Sequence, residues 1–133
     1  MHGRTLLIAA AAVAAALALT TPAAAERIDL DASDGGTRVT VHPGDTIRIE
    51  LDANRTTGYD WSVTARPDSA VVRLRSSRYR APAESRPGAG GTQVYVLKAR
   101  STGRTRFAAV YRQVGSGDRG ARFSVRLRVA AHH

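Results

Sequence analysis

The chain has 133 residues, a formal net charge of +9, 5% aromatic residues and no cysteine. That length suits one domain with a core of its own and is too short for two. The lack of cysteine excludes a disulfide framework, a thiol nucleophile and a lipid-modified cysteine.

Arg4 precedes an apolar run from Leu6 to Leu19, which Thr20-Thr21-Pro22 breaks and Ala23-Ala24-Ala25 follows. A positive start, an apolar stretch and a small-residue A-x-A site, in that order, read as a secretory signal spanning residues 1–25. The apolar run is short of the roughly 20 residues that a spanning helix needs. Cleavage removes 25 of the 133 residues and leaves a 108-residue domain, 26–133. It takes away one of 20 basic residues and none of the 11 acids, so the net charge becomes +8. The expectation is a secreted or periplasmic monomer with no membrane segment after processing. Lys98 stands alone against 19 arginines, and with the abundant alanine this bias hints at a GC-rich bacterial source.

After Glu26 the pattern is almost entirely β. Arg27 to Asp31 alternates apolar and polar residues, Ser33-Asp34-Gly35-Gly36 is a turn signal, and Thr37 to Val41 alternates again. His42-Pro43-Gly44-Asp45 turns the chain. Ile47, Ile49 and Leu51 then share one face, with Arg48, Glu50 and Asp52 on the other, the period of a half-buried strand. A loop at Ala53 to Gly58 leads to a strand on which Tyr59, Trp61 and Val63 share a face, which places Trp61 in the core. Ala70 to Leu74 is a short strand running on to Tyr79, and Arg80 to Gly91 is a long loop. Thr92 to Ala99 and Thr105 to Tyr111 are strands around a Ser101-Thr102-Gly103 turn. Arg112 to Gly120 is a loop, and Arg122 to Ala130 alternates most cleanly of all. Ala131-His132-His133 reads as a frayed tail. About eight strands, turns every 8 to 12 residues and no helical period predict an all-β antiparallel sandwich.

Enzymatic chemistry finds little support. His42 sits in a turn, the acids are scattered singly, and two terminal histidines do not make a metal site. No glycine loop opens a helix, so no phosphate cradle exists and no cofactor is expected. Arg122, Arg126 and Arg128 form a positive outer face, with Arg73, Arg75, Arg78 and Arg80 adding more. Single-strand nucleic-acid binders need aromatic platforms that are scarce here, so nucleic acid is not an expected partner.

Three glycine-bearing loops stand out instead: Asn54 to Gly58, Gly88-Ala89-Gly90-Gly91, and the stretch from Tyr111-Arg112-Gln113-Val114 to Gly117. Asn54-x-Thr56-Thr57-Gly58-Tyr59-x-Trp61 resembles the N-P-T-T-G-[YF]-x-W signature of the chagasin family, inhibitors of papain-like cysteine proteases. Gly88-Ala89-Gly90-Gly91 resembles the same family's G-x-G-G loop, in matching order. Of the third family motif, R-P-[WF], only Arg112 is present; Gln113 and Val114 replace the proline and the aromatic. Arg55 replaces the proline of the first motif, which also makes Asn54-Arg55-Thr56 a formal glycosylation sequon, without meaning in a bacterium.

The resemblance implies an immunoglobulin-like sandwich with the three loops at one end. The first loop would enter the protease cleft and the other two would flank it, giving reversible, tight occlusion without covalent chemistry. It makes Asn54, Thr56, Thr57, Gly58, Tyr59, Gly88, Ala89, Gly90, Gly91 and Arg112 the expected protease-binding residues. Physical chemistry agrees locally: Gly58 can take a positive φ, the threonines are small and hydroxylated, and a preorganised loop loses little entropy on binding. The alternative is a secreted, non-inhibitory immunoglobulin-like module that binds an anionic surface polymer or protein through the arginine face.

Overall fold

The computed structural model describes residues 24–83, 88–117 and 119–132. The signal read over residues 1–25 lies almost wholly outside them, as do residues 84–87 of the long loop.

Eight strands form two four-stranded sheets. They are β1 (Arg27–Leu30), β2 (Thr37–Val41), β3 (Thr46–Ala53), β4 (Tyr59–Ala65), β5 (Val72–Arg80), β6 (Gly91–Ala99), β7 (Gly103–Gln113) and β8 (Arg119–Val129). One sheet runs β1-β3-β6-β5 and the other β2-β8-β7-β4. The result is the β-sandwich that the alternation predicted, with the immunoglobulin-like architecture that the resemblance implied.

Alternation decides which face turns inward. Ile47, Ile49 and Leu51 of β3 and Phe123, Val125, Leu127 and Val129 of β8 are all at most 2% exposed, while their neighbours Arg122, Arg126 and Arg128 are exposed. Tyr95, Phe107 and Phe123 form the aromatic centre, with ring centroids 5.0 and 6.4 Å apart in sequence. Trp61 and Val63 are only half-buried and pack against the edge of this core. Trp61 therefore stands at the rim rather than in the centre, with its Nε1 donating to the Asp52 carbonyl at 2.9 Å.

The sandwich is not wholly antiparallel. β1 pairs with β3, and β2 with β8, in parallel. The turn between β1 and β2 explains this. Asp31 caps a short 3-10 turn, Ala32–Asp34, that hands the chain from one sheet to the other. β1 and β2 therefore lie on different sheets, and each pairs with a strand distant in sequence instead of forming a hairpin.

The end of the sandwich at the His42–Asp45 turn is tied by a buried carboxylate. Asp45 is 2% exposed and accepts from the backbone N–H of Glu26 and of His42, both at 2.9 Å. Burial alone would raise its pKa; the two N–H donors and the charges of His42 and His132 outweigh that and hold it below the ordinary 3.8. The C-terminal tail is engaged here too, not frayed. The His132 ring stacks on His42 at 4.7 Å, and its Nε2 lies 3.3 Å from the Pro43 carbonyl.

Candidate functional site

β3 and β4 belong to different sheets, so the chain between them must cross the end of the sandwich. The β5–β6 and β7–β8 connections are hairpins within each sheet and open at the same end. One crossing loop flanked by two hairpin loops follows from the topology alone.

Asn54 shapes the crossing loop. Its Oδ1 accepts from the Thr56 N–H at 3.1 Å and from the Thr56 hydroxyl at 2.6 Å, capping a 3-10 turn, Arg55–Thr57. Its carbonyl accepts from the Thr57 hydroxyl at 2.7 Å, and its N–H donates to the Tyr111 hydroxyl at 2.9 Å. Gly58 ends the turn in the left-handed region, φ 81°, as the sequence required, with its N–H on the Arg55 carbonyl.

The three loops are bonded into one edge. Asn54 Nδ2 donates to the Gly88 carbonyl at 3.1 Å, joining the first loop to the second. Val114 N–H donates to the Gly58 carbonyl at 2.8 Å, joining the first to the third. Thr56, Thr57 and Gly58 are exposed between them. Because both threonine hydroxyls already donate to Asn54, what they offer outward is methyl surface and oxygen lone pairs. The loop is therefore built to meet apolar groups and N–H donors.

Several of the residues expected to bind a protease also make contacts within the loop end. Tyr59 is half-buried and stacks on Tyr111 at 5.3 Å; Trp61 packs on the same ring at 5.1 Å. Asn54 is half-buried and serves as the hub of the loop. Gly88 and Gly90 are exposed and Ala89 is half-buried, so these three are the surface of the second loop. Gly91 is buried, and a Cβ there would run into the Tyr79 hydroxyl and the Arg80 carbonyl. The fold therefore requires a residue without a side chain there. Arg112 lies within β7 rather than in the third loop, opposite Asp60 and on the outer face of its sheet. It is not grouped with the threonines.

Two features escaped the sequence reading. Val114 is 74% exposed, the exposed large apolar side chain among the described residues, and it sits beside Gly58. An apolar residue inside a Gln-Val-Gly-Ser-Gly turn was the available signal. Arg55 is not a loose charge: its guanidinium lies 4.1 Å over the Tyr79 ring and 3.4 Å from Asp60. These contacts hold the turn where a proline would stiffen it by other means. No three His, Asp or Glu side chains among the described residues are grouped to hold a metal.

Fold and site together define a β-sandwich that displays three cross-braced loops at one end. Residues 40–129 match the sequence profile of the chagasin family of peptidase inhibitors, I42, and the chain belongs to that family. No match is found among curated protein sequences. Among solved structures, the cysteine protease inhibitor EhICP2 from Entamoeba histolytica superposes with a TM-score of 0.68 at 17% identity, over 82% of this chain and 100% of that one. Amebosin gives 0.63 at 22% identity, over 81% and 100%. PbICP-C, solved in complex with falcipain-2, gives 0.54 at 14%, over 85% and 96%. At such identities the likeness is one of fold.

Proposed function

We propose that this protein inhibits papain-like cysteine proteases, reversibly and tightly, by placing its three-loop edge in the active-site cleft. The observation that carries the reading is the brace itself: Asn54 to Gly88 on one side and Gly58 to Val114 on the other, with Thr56-Thr57-Gly58 exposed at the centre. A loop fixed before binding loses little entropy on docking, so affinity does not require a large interface. Membership of an inhibitor family and a structural neighbour bound to falcipain-2 support the same reading. The first loop enters the cleft, and Gly88 to Gly90 and Val114 form its flanks. Inhibition is by occlusion, with no covalent step. The protein is exported, processed after Ala25 and acts as a monomer.

Titration of papain and cathepsin L with the purified protein tests this directly. Full activity of both enzymes at micromolar inhibitor overturns the proposal. Gly58→Val probes the centre. A Cβ added there meets only the Gln113 side chain, at 3.9 Å, an ordinary contact. The penalty is the left-handed backbone, roughly 1–2 kcal/mol for a residue with a Cβ. The expected outcome is a loss of inhibition of at least about tenfold, with the melting transition still cooperative; unchanged inhibition removes this loop from the mechanism.

A further inference from the structure

The outer face of the β2-β8-β7 layer carries a ladder of arginines. Register sets Arg38 opposite Arg126, and Arg126 opposite Arg106, so one row crosses three strands. Arg128 faces Arg104 in the next row. Towards the loop end, Arg122 faces Val110 and Arg119 faces Arg112. The intervening residues, Phe107, Ala109, Val125 and Leu127, are buried, which turns the arginines outward.

Like charges directly opposite one another on paired strands destabilise a sheet. Elsewhere some arginines are offset: Arg48 and Arg80 pair with Glu50, Arg27 with Asp29, and Arg55 with Asp60, while Arg73 faces Lys98. On this face no arginine has an acidic partner within ion-pair distance among the described residues. Arg112 Nε, at its upper end, is buried without a hydrogen-bond partner among them. The repulsion is thus left for a ligand to relieve.

The geometry narrows what that ligand is. Rows repeat across strands at about 4.8 Å, and the ladder from Arg104 to Arg112 runs roughly 26 Å along the strand. A single anion covers one pair; only a chain of regularly spaced anionic groups covers the rows. Guanidinium forks suit sulfate and carboxylate oxygens in bidentate pairs. Val114, the exposed large apolar side chain, lies at the loop end, so the face has nothing to insert into a bilayer. The tyrosines and Trp61 point inward or to the rim, so it has no platform for stacking bases.

We propose that this face binds a linear anionic polysaccharide, sulfated or carboxylated, and holds the protein on it while the loop end remains free. The surface is distinct from the three-loop edge, and the proposal stands or falls separately from protease inhibition. The test measures binding of the purified protein to heparin, polygalacturonate and neutral dextran over a range of NaCl concentrations. Phosphatidylglycerol vesicles and a single-stranded oligonucleotide run beside them. The expected result is binding to an acidic polymer but not to dextran, weakening steeply with salt. Arg106→Ser/Arg126→Ser/Arg128→Ser should lose at least about tenfold in affinity. The charge-matched Arg73→Ser/Arg75→Ser/Arg78→Ser on the other sheet should stay close to the parent. Arg126→Ser alone, in the middle of the row, should show a smaller loss and covers the case of a triple variant that fails to fold. Equal losses in both triple variants, no binding by the parent, or tighter binding to vesicles or oligonucleotide would each overturn the proposal.

Discussion

Asn54 shows how one side chain can organise a loop. It receives two bonds from Thr56 and sends one to Gly88. Each such bond contributes on the order of 0.5–1.5 kcal/mol, and all of them act on loop shape. Asn54→Ala should therefore weaken papain inhibition about tenfold or more while lowering the melting temperature only a few degrees. Inhibition that survives intact would show that the loop holds its shape by other means. The role of Gly58 was legible in the sequence, because Thr-Thr-Gly between two strands calls for a positive φ. The role of Arg55 was not. Its partner Tyr79 lies on β5, distant in sequence, and only the folded chain brings the two together.

At the level of elements, the eight strands could be read from period-2 alternation, since one face of each meets the core. What alternation does not encode is partnership. The parallel pairing of β1 and β2 depends on a turn that changes sheet, and a Ser-Asp-Gly-Gly turn looks the same in a hairpin. Strand ends were also hidden. β7 runs on to Gln113, which carries Arg112 out of the third loop and onto a sheet face. Gly91 shows the same ambiguity in a motif: a glycine-rich run mixes residues that face a partner with residues that make way for the protein itself. Gly91→Ala should cost stability, about 1–3 kcal/mol for an overpacked site, because Tyr79 and Arg80 must move. Chemical denaturation measures this. A neutral result would mean that the β5–β6 hairpin yields cheaply. Gly90→Ala, where a Cβ makes only ordinary contacts with Asn54 at 3.8 Å and the Ala53 carbonyl at 4.0 Å, is the matched control.

Taken whole, the molecule separates its surfaces. Glu50 offsets Arg48 and Arg80, and Asp29 offsets Arg27, on the β1-β3-β6-β5 sheet; arginines dominate the other, and the loops occupy one end. Net charge was plain from composition; its segregation needed the register. The centre is correspondingly dry. Burial, with the charge of Asp60 adding to it, pushes the Tyr95 hydroxyl up to about 12, although the Ser77 hydroxyl works the other way. An unfolded tyrosine ionises near 10. Between those values the unfolded chain has released the proton and the folded chain retains it, so stability falls as pH rises, by at most about 1.4 kcal/mol per pH unit. Tyr95→Phe should flatten that alkaline loss, as followed by urea denaturation from pH 9 to 11. Parallel curves for parent and variant would assign the loss to other groups.

The bond between the Glu26 N–H and the buried Asp45 carboxylate acquires a second meaning if the leader is removed after Ala25. In the precursor that nitrogen is a neutral amide. In the processed chain it is an ammonium, held 2.9 Å from an anion that water hardly reaches. Maturation would then tighten the domain at the moment it leaves the translocase, and leave the precursor looser while it must stay threadable. Charged hydrogen bonds exceed neutral ones by about 1 kcal/mol, which for a domain of this size is roughly 4–8 °C in melting temperature. A chain beginning at Glu26 should melt higher by that amount than one retaining Ala24-Ala25, and Asp45→Asn should erase the difference. Identical melting of the two chains would reduce Asp45 to a cap on a turn.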